Sequence, residues 1–85
     1  MNTDEYQQSG ADIHQTIMAE LLRMVNYPFK IIELETIRKN PAFNRYSDDQ
    51  IFRVISKLVD QRLFDLCQHP PSSKQLRNGY IIRRR

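Results

Sequence analysis

The chain has few of the residues on which catalytic, metal-binding and disulfide-stabilised proteins depend. Its 85 residues include one cysteine, two histidines and two glycines. One cysteine forms no internal disulfide, and together with two histidines it makes no familiar zinc ligand set. Two glycines are too few for a glycine-rich phosphate-binding loop. We therefore expect no enzymatic activity, no metal or other cofactor, and no small-molecule substrate.

Long apolar segments are missing as well. No segment approaches the roughly 20 apolar residues of a membrane-spanning helix. The first ten residues, MNTDEYQQSG, carry acids where a secretion signal needs positive charge. We predict a flexible leader over residues 1–10, a single domain over residues 11–85, and no membrane association. The single Cys67 fits a reducing compartment, so the expected location is intracellular, either cytoplasmic (nucleoid-associated) or nuclear.

Positive charge is concentrated in the second half of the chain. Residues 1–43 hold four basic and six acidic side chains, whereas residues 44–85 hold nine basic and four acidic ones. From Leu66 onward the chain has no acid, and its basic residues there are Lys74, Arg77, Arg83, Arg84 and Arg85. Charge of one sign on half a molecule attracts a polyanion, although a solubilising segment has the same composition.

Apolar spacing predicts two helices in the first half. In residues 11–26, seven apolar side chains fall on one half of a helix: Ile13, Ile17, Met18, Leu21, Leu22, Met24 and Val25. An extended connector is predicted over residues 27–30, because a residue before proline is pushed out of the helical region. Three-residue spacing of Ile31, Leu34 and Ile37 predicts a short helix over residues 31–40, and residues 41–46 are predicted to form a turn.

The clearest predicted element is a third helix over residues 47–63. Ser47 with Gln50 three residues later is a capping-box pattern, and two aspartates in the first turn suit the helix dipole. One face is apolar, formed by Ile51, Phe52, Val54, Ile55, Leu58 and Val59. The opposite face carries Gln50, Arg53 and Lys57. The solvent-exposed side of an ordinary surface helix has the same kind of residues, so these three do not by themselves indicate a binding site.

A hairpin is predicted after the third helix. Residues 64–68 and 80–84 have the composition of strands, and Pro, Ser, Asn and Gly between them indicate a long basic loop. Cys67 is expected to be a small buried residue of the first strand. Asn78-Gly79 is itself a two-residue hairpin signal, so an alternative pairs residues 74–77 directly with residues 80–83.

This order of elements is similar to the winged helix-turn-helix superfamily over about residues 11–85. The resemblance depends on the segments SDDQIFRVISKLVDQRLFDL and NGYIIRRR, with Leu58, Val59, Leu63 and Phe64 at the break between helix and strand. Members often have glycine after the third helix, where this chain has Arg62. The resemblance implies an α+β, mainly helical fold: a three-helix bundle with a small antiparallel β-hairpin wing.

The resemblance also implies DNA binding, with residues 47–63 in the major groove and the basic wing, residues 64–85, on phosphates. Gln50, Arg53 and Lys57 are the expected base-reading residues, since Arg pairs with guanine and Gln with adenine. Asn44, Arg45, Tyr46 and Ser47 are expected to contact phosphates through side chains and free backbone amides. Lys74, Arg77 and Arg83 are the expected phosphate contacts of the wing. The expected partner is double-stranded DNA, and the expected role is regulation of transcription.

Two other classes stay open at this stage. A winged-helix protein–protein interaction module within a larger complex is favoured by the zero formal charge of residues 48–62. It is also favoured by Phe43, Tyr46 and Phe52, which are expected to be exposed. RNA binding usually needs aromatic residues interleaved with basic ones on a sheet, and Tyr80 alone is weak support. Because one such domain binds DNA modestly, we expect a homodimer or a larger assembly.

Overall fold

A computed structural model describes residues 3–71 and 73–85, with the backbone alone for residues 3–11. The described chain is α+β, with three α-helices, a short 3-10 helix and a three-stranded antiparallel sheet, which confirms the predicted class. Its elements are α1 Thr3–Met24, β1 Ile31–Glu33, α2 Leu34–Lys39, the 3-10 helix Pro41–Phe43, α3 Asp48–Asp60, β2 Phe64–Gln68 and β3 Gly79–Arg83. Within the described residues, no helix has both the length and the apolar character needed to cross a membrane.

The first helix begins earlier than its apolar pattern indicates. Helix α1 starts at Thr3, whereas the sequence predicted a helix only from residue 11. Met1 and Asn2 lie outside the described residues, and the flexibility of residues 1–10 stays a prediction. From residue 12 onward the predicted apolar face is confirmed, because Ile17, Leu21 and Val25 are fully buried. Their spacing of four residues aligns them along one side of the helix.

Strand β1 replaces the first part of a predicted helix. Residues 31–40 were predicted to be helical, but Ile31–Glu33 is a strand and only Leu34–Lys39 is helical. The strand pairs with β3 antiparallel, with Ile31 opposite Ile82. β-branched residues suit strands, and the pairing partner lies about fifty residues away in the chain. Local spacing therefore gave the wrong assignment for these three residues.

Helix α3 has the predicted start and a shorter end. The Ser47 side chain accepts a hydrogen bond from the Gln50 amide and the Gln50 side chain accepts one from the Ser47 amide, so the capping box is confirmed. Five residues of the predicted apolar face are buried: Ile51, Phe52, Val54, Ile55 and Leu58. The helix ends at Asp60, three residues before the predicted end. This buried face packs against α1 and β2 and forms the centre of the core.

At the end of α3, arginine occupies the left-handed position that glycine usually takes. Arg62 has a φ of 64°, in the left-handed region. Its amide donates to the Val59 carbonyl at 2.9 Å, and the Leu63 amide donates to the Leu58 carbonyl at 2.9 Å. These two bonds form a Schellman motif, in which glycine is the usual left-handed residue. Arginine therefore holds a conformation that is costly for a side chain with a Cβ atom.

Replacing Arg62 with glycine is expected to stabilise the domain. Left-handed backbone costs an L-residue about 1–2 kcal/mol, and the greater freedom of glycine in the unfolded chain offsets part of the gain. The expected increase in unfolding free energy is about 0.5–1 kcal/mol. Urea denaturation would measure it. Gln61→Gly is the matched control: Gln61 has a φ of −80°, so glycine there should destabilise. A loss of stability in both variants would contradict the argument.

Of the two predicted alternatives, the long loop between β2 and β3 is the one that the structure has. Strand β3 runs from Gly79 to Arg83, and Gly79 is paired with Gln68. Residues 74–77 form no strand, so the direct two-residue hairpin at Asn78-Gly79 is wrong. A Cβ atom at position 79 would lie 2.3 Å from the carbonyl oxygen of Cys67. Glycine is needed here because β2 and β3 approach closely at the end of the loop.

Candidate nucleic-acid interface

The exposed side of α3 and the β2–β3 loop, residues 69–78, form a groove of about 560 Å³. We call it the α3–loop groove, and its lining residues are Asp49, Phe52, Arg53, Ser56, Lys57 and Asp60 of α3, Leu66 of β2, and Pro71, Ser73 and Lys74 of the loop. The base is partly apolar and the rim is charged. The structure thus brings Lys74 together with Arg53 and Lys57 in one groove.

The loop is attached to the sheet through a buried glutamine. The Gln68 side chain is 9 % exposed. Its Nε2 donates to the carbonyl oxygens of Gln75 at 2.6 Å and of Arg77 at 3.0 Å. The Leu76 side chain lies in the core at 3 % exposure. Hydrogen bonds from a buried amide together with a buried apolar side chain fix the second half of the loop, and with it the position of Lys74.

The loop is also attached to the start of α3 through Asp48. One carboxylate oxygen of Asp48 accepts a hydrogen bond from the Leu76 amide at 3.1 Å. The other pairs with the Arg38 guanidinium of α2. Arg38 further donates to the carbonyl oxygens of Phe43 at 2.7 Å and Tyr46 at 3.0 Å. A single arginine–aspartate pair therefore joins α2, the turn before α3, α3 itself and the loop.

Acidic residues at the start of α3 are already neutralised. Asp48 pairs with Arg38, and Asp49 accepts a hydrogen bond from Arg53 at 3.1 Å. In the part of the chain that the structure describes, Lys57 and Lys74 have no ion-pair partner. The Arg53–Asp49 pair is exposed, and such pairs contribute little and exchange readily with other partners. With Asp60 also on the rim, the groove has a formal charge of +1.

The predicted contacts just before α3 are less available than the sequence suggested. The side chains of Asn44 and Arg45 are exposed, but Tyr46 is buried, with 9 % of its surface exposed. The backbone amides of Asn44, Tyr46 and Ser47 donate within the chain, so they are not the free amides that were expected. The tight turn after the 3-10 helix and the capping box use these groups internally. The exposed side chains of Asn44, Arg45 and Ser47 stay accessible to a phosphate.

The remaining predicted residues are distributed over the molecule. Gln50 is half-buried, and its Oε1 is occupied by the capping box. Arg77 is exposed in the loop, outside the groove lining. Arg83 lies at the far end of β3, where its guanidinium is 6.0 Å from the ring centre of Phe64 and 3.4 Å from the carbonyl oxygen of Val25. Arg83 is therefore separated from the loop cations with which it was grouped.

The aromatic residues expected at the surface are in the core. Phe43 is fully buried, and Tyr46 and Phe52 expose 9 % and 6 % of their surface. The prediction of exposure is wrong, because the turn before α3 folds under the helix and encloses these rings. One of the two observations that favoured a protein-binding module is thereby removed. Among the residues whose side chains the structure describes, the exposed aromatic ones are Tyr27, Phe29 and Tyr80.

Three residues that position the groove were not predicted. Arg38, Asp48 and Gln68 fix the loop against α3. In the sequence, Asp48 is explained by the helix start and Arg38 by the end of a short helix. Their partners lie up to 28 residues away in the chain, so no local pattern reveals the pairing. The one available signal was Gln68, a polar residue at the end of β2 on the same side of the strand as Phe64 and Leu66.

Titratable groups outside the groove lie mostly at the surface. Cys67 is exposed, so its predicted burial is wrong: it points to the side of β2 opposite the core. A hydrogen bond to the Cys67 side chain, with a smaller effect of its charge, raises the pKa of the Tyr80 hydroxyl. His14 is half-buried on α1. Among the described residues, no group of three or more His, Cys, Asp or Glu side chains is placed to hold a metal ion.

Comparison with known proteins adds no further assignment. The features of the molecule that bear on function are the α3–loop groove, the fixed loop and the distribution of charge. No protein-family model, no characterised protein and no solved structure matches this chain.

Proposed function

We propose that the chain is a winged-helix domain that binds double-stranded DNA and regulates transcription. The observation that carries this proposal is the position of Lys74 beside Arg53 and Lys57 in the α3–loop groove. The arrangement of three helices closed by a small antiparallel sheet supports the winged-helix assignment. In that arrangement the exposed side of α3 enters the major groove, while the β2–β3 loop lies against the adjacent backbone.

The positions of the cations around the α3–loop groove define the proposed roles of the residues. Lys57 and Lys74 contact phosphates on either side of the α3–loop groove. Arg53 can exchange its exposed ion pair with Asp49 for a contact to a base edge or to a further phosphate. Asn44 and Arg45 supply further contacts to the backbone at the start of the helix. Gln50 has a smaller role than its position on the helix suggested, because its side-chain oxygen is held in the capping box. Arg83 has no role in this interface.

The salt dependence of DNA binding tests the proposal. Phosphate contacts by Lys57, Lys74 and Arg45, with Arg53 on a base edge, predict a slope of roughly −3 in a plot of log affinity against log salt concentration. The Lys57→Gln, Lys74→Gln variant should reduce the slope to roughly −1 and lower the affinity about 10–100-fold at 0.1 M salt. Fluorescence anisotropy with random duplex DNA at several salt concentrations would measure both quantities.

A matched variant separates a specific surface from general attraction. Arg23→Gln, Arg85→Gln removes the same charge from exposed positions outside the groove, and it should keep the slope and the affinity close to those of the original chain. Equal losses in the two variants would mean that net charge alone attracts DNA, and would contradict the proposed surface. Binding that is insensitive to salt and to both variants would favour a protein partner.

A further inference from the structure

Among residues 12–71 and 73–85, four large apolar side chains are exposed, and none of them lines the α3–loop groove. Tyr27 is 52 % exposed, Phe29 67 %, Ile31 53 % and Tyr80 38 %. They belong to the connector before β1, to β1 itself and to the neighbouring strand β3. Single exposed apolar residues are ordinary, but several in one region mark an interaction surface. The proposed DNA contacts do not use any of them.

The strand register places two of these residues, Ile31 and Tyr80, on one face of the sheet. Ile31 lies beside Ile82, which lies beside Asp65, and Glu33 lies beside Tyr80, which lies beside Cys67. Directly opposed residues of antiparallel strands point to the same side. The alternate row contains Ile81, which is fully buried, so that side faces the core. We call the other side, with its six residues, the outer sheet face: Ile31, Glu33, Asp65, Cys67, Tyr80 and Ile82.

The outer sheet face has charge of opposite sign at its two ends. At one end, Glu33 and Glu35 line a shallow cleft of about 280 Å³ together with Tyr80. At the other end are Arg84 and Lys30, which directly precedes β1; Arg84 lies 3.5 Å from Asp65 of the same face, so these three residues have a formal charge of +1. Ile31, Ile82 and the ring of Tyr80 lie between these ends. An apolar centre with an acidic end and a basic end is complementary to a second copy of itself.

We propose that two copies of this chain associate through their outer sheet faces, with the strands of one copy running opposite to those of the other. Sheets commonly pack face to face at about 10 Å. A two-fold axis across the strands brings Glu33 of one copy toward Arg84 of the other, and does so twice. An axis along the strands would instead bring like charges together. The charge pattern therefore selects the opposed arrangement.

The backbone conformation of Phe29 also favours an interaction surface beside the outer sheet face. Phe29 has a φ of 67°, and its amide donates to the Arg83 carbonyl at 2.7 Å. Left-handed backbone is uncommon for a bulky residue. The chain thus holds an aromatic ring outward beside the basic end of the face. Burial of this ring by a partner would offset the free-energy cost of the left-handed backbone that exposes it. Strained backbone of this kind is concentrated at functional positions.

The interface is small, so the dimer should be in exchange with the monomer. Strands β2 and β3 are five residues long and β1 is three, so with strands about 4.8 Å apart the face spans at most roughly 14 Å by 17 Å, to which Tyr27 and Phe29 add their rings. A face of this size buries less than the roughly 1,200 Å² of a standard interface, so the association should be weak, and we expect a dissociation constant of about 1–100 μM. The dimer places two α3–loop grooves on one particle, but its formation does not depend on the proposed DNA binding.

Sedimentation velocity of the full chain without DNA, from about 1 to 500 μM, tests the proposal. The chain should shift from monomer to dimer over this range. Ile31→Lys, at an exposed edge-strand position, should weaken association at least about 10-fold. Arg84→Glu and Glu33→Lys should each weaken it about 10-fold, and the variant with both changes should recover to within about 3-fold. The two positions are at opposite ends of the face, so recovery must come across the interface.

The Lys57→Gln, Lys74→Gln variant is the control, because both residues line the α3–loop groove. It should dimerise like the original chain even where it loses affinity for DNA, so the two proposals fail separately. A thermal melt of each variant shows that it is folded. A monomer at every concentration, or a dimer unaffected by Ile31→Lys, would overturn the proposal. Failure of the doubly changed variant to recover would overturn the opposed arrangement of the strands.

Discussion

Leu58→Ala is expected to lower the free energy of unfolding by about 2–5 kcal/mol. Leu58 is fully buried on α3, within the cluster that joins α1, α3 and β2. Removing its side chain forfeits apolar burial and leaves a cavity that the surrounding helices fill only in part. The total stability of a domain is usually about 5–15 kcal/mol, so this loss is a large share for 85 residues.

Urea denaturation followed by circular dichroism would measure the loss at Leu58. Lys57→Ala is the matched control, because Lys57 is the preceding residue of the same helix and is exposed. Its effect should be within about 0.5 kcal/mol. If Leu58→Ala is as mild as Lys57→Ala, the buried side of α3 is assigned wrongly. The groove on the opposite side would then be wrong as well.

Arg38→Ala is expected to destabilise the domain by about 2–3 kcal/mol and to release the β2–β3 loop. The change removes the hydrogen bonds to the carbonyl groups of Phe43 and Tyr46 and leaves Asp48 without its cation. Hydrogen bonds to charged groups contribute more than neutral ones, and partly buried polar groups left unpaired are costly. Since Asp48 also accepts from the Leu76 amide, that attachment of the loop should weaken too.

Hydrogen exchange at the Leu76 amide would report the release of the loop directly. Faster exchange of this amide in Arg38→Ala, measured together with the unfolding free energy, is the expected result. Arg53→Ala is the control, because it removes the exposed pair with Asp49 and should cost less than about 1 kcal/mol. Arg38→Lys should recover only part of the loss, since lysine lacks the planar arrangement of donors. Unchanged exchange at Leu76 in Arg38→Ala would contradict the role assigned to the pair.

Elements with a strong local pattern could be predicted from the sequence. The apolar spacing of α3 and its capping box gave the start and the buried face, and the composition of residues 64–68 gave β2. The end of α3 was placed three residues late, because the left-handed Arg62 lacks the glycine signal of such a cap. Strand β1 was missed because a strand of three residues is defined by its distant partner β3.

The candidate interface was predictable in part for a similar reason. The polar side of α3 follows from helical periodicity, and the basic loop follows from composition, so Arg53, Lys57 and Lys74 could be named. The separation of Arg83 from the loop follows from the length and direction of β3, which the sequence does not specify. The burial of Phe43 and Tyr46 depends on how the turn before α3 folds under the helix. Contacts between distant segments decide these points.

The attachment of the β2–β3 loop has a consequence for the rate and the entropy of binding. Gln68, Leu76 and Asp48 hold the loop before any ligand arrives, so binding orders little backbone. Association should therefore be limited by diffusion and electrostatic attraction rather than by a slow rearrangement. The entropic cost is then confined to flexible side chains such as Lys57 and Lys74, and the loop carries its charge to the ligand as a preorganised unit.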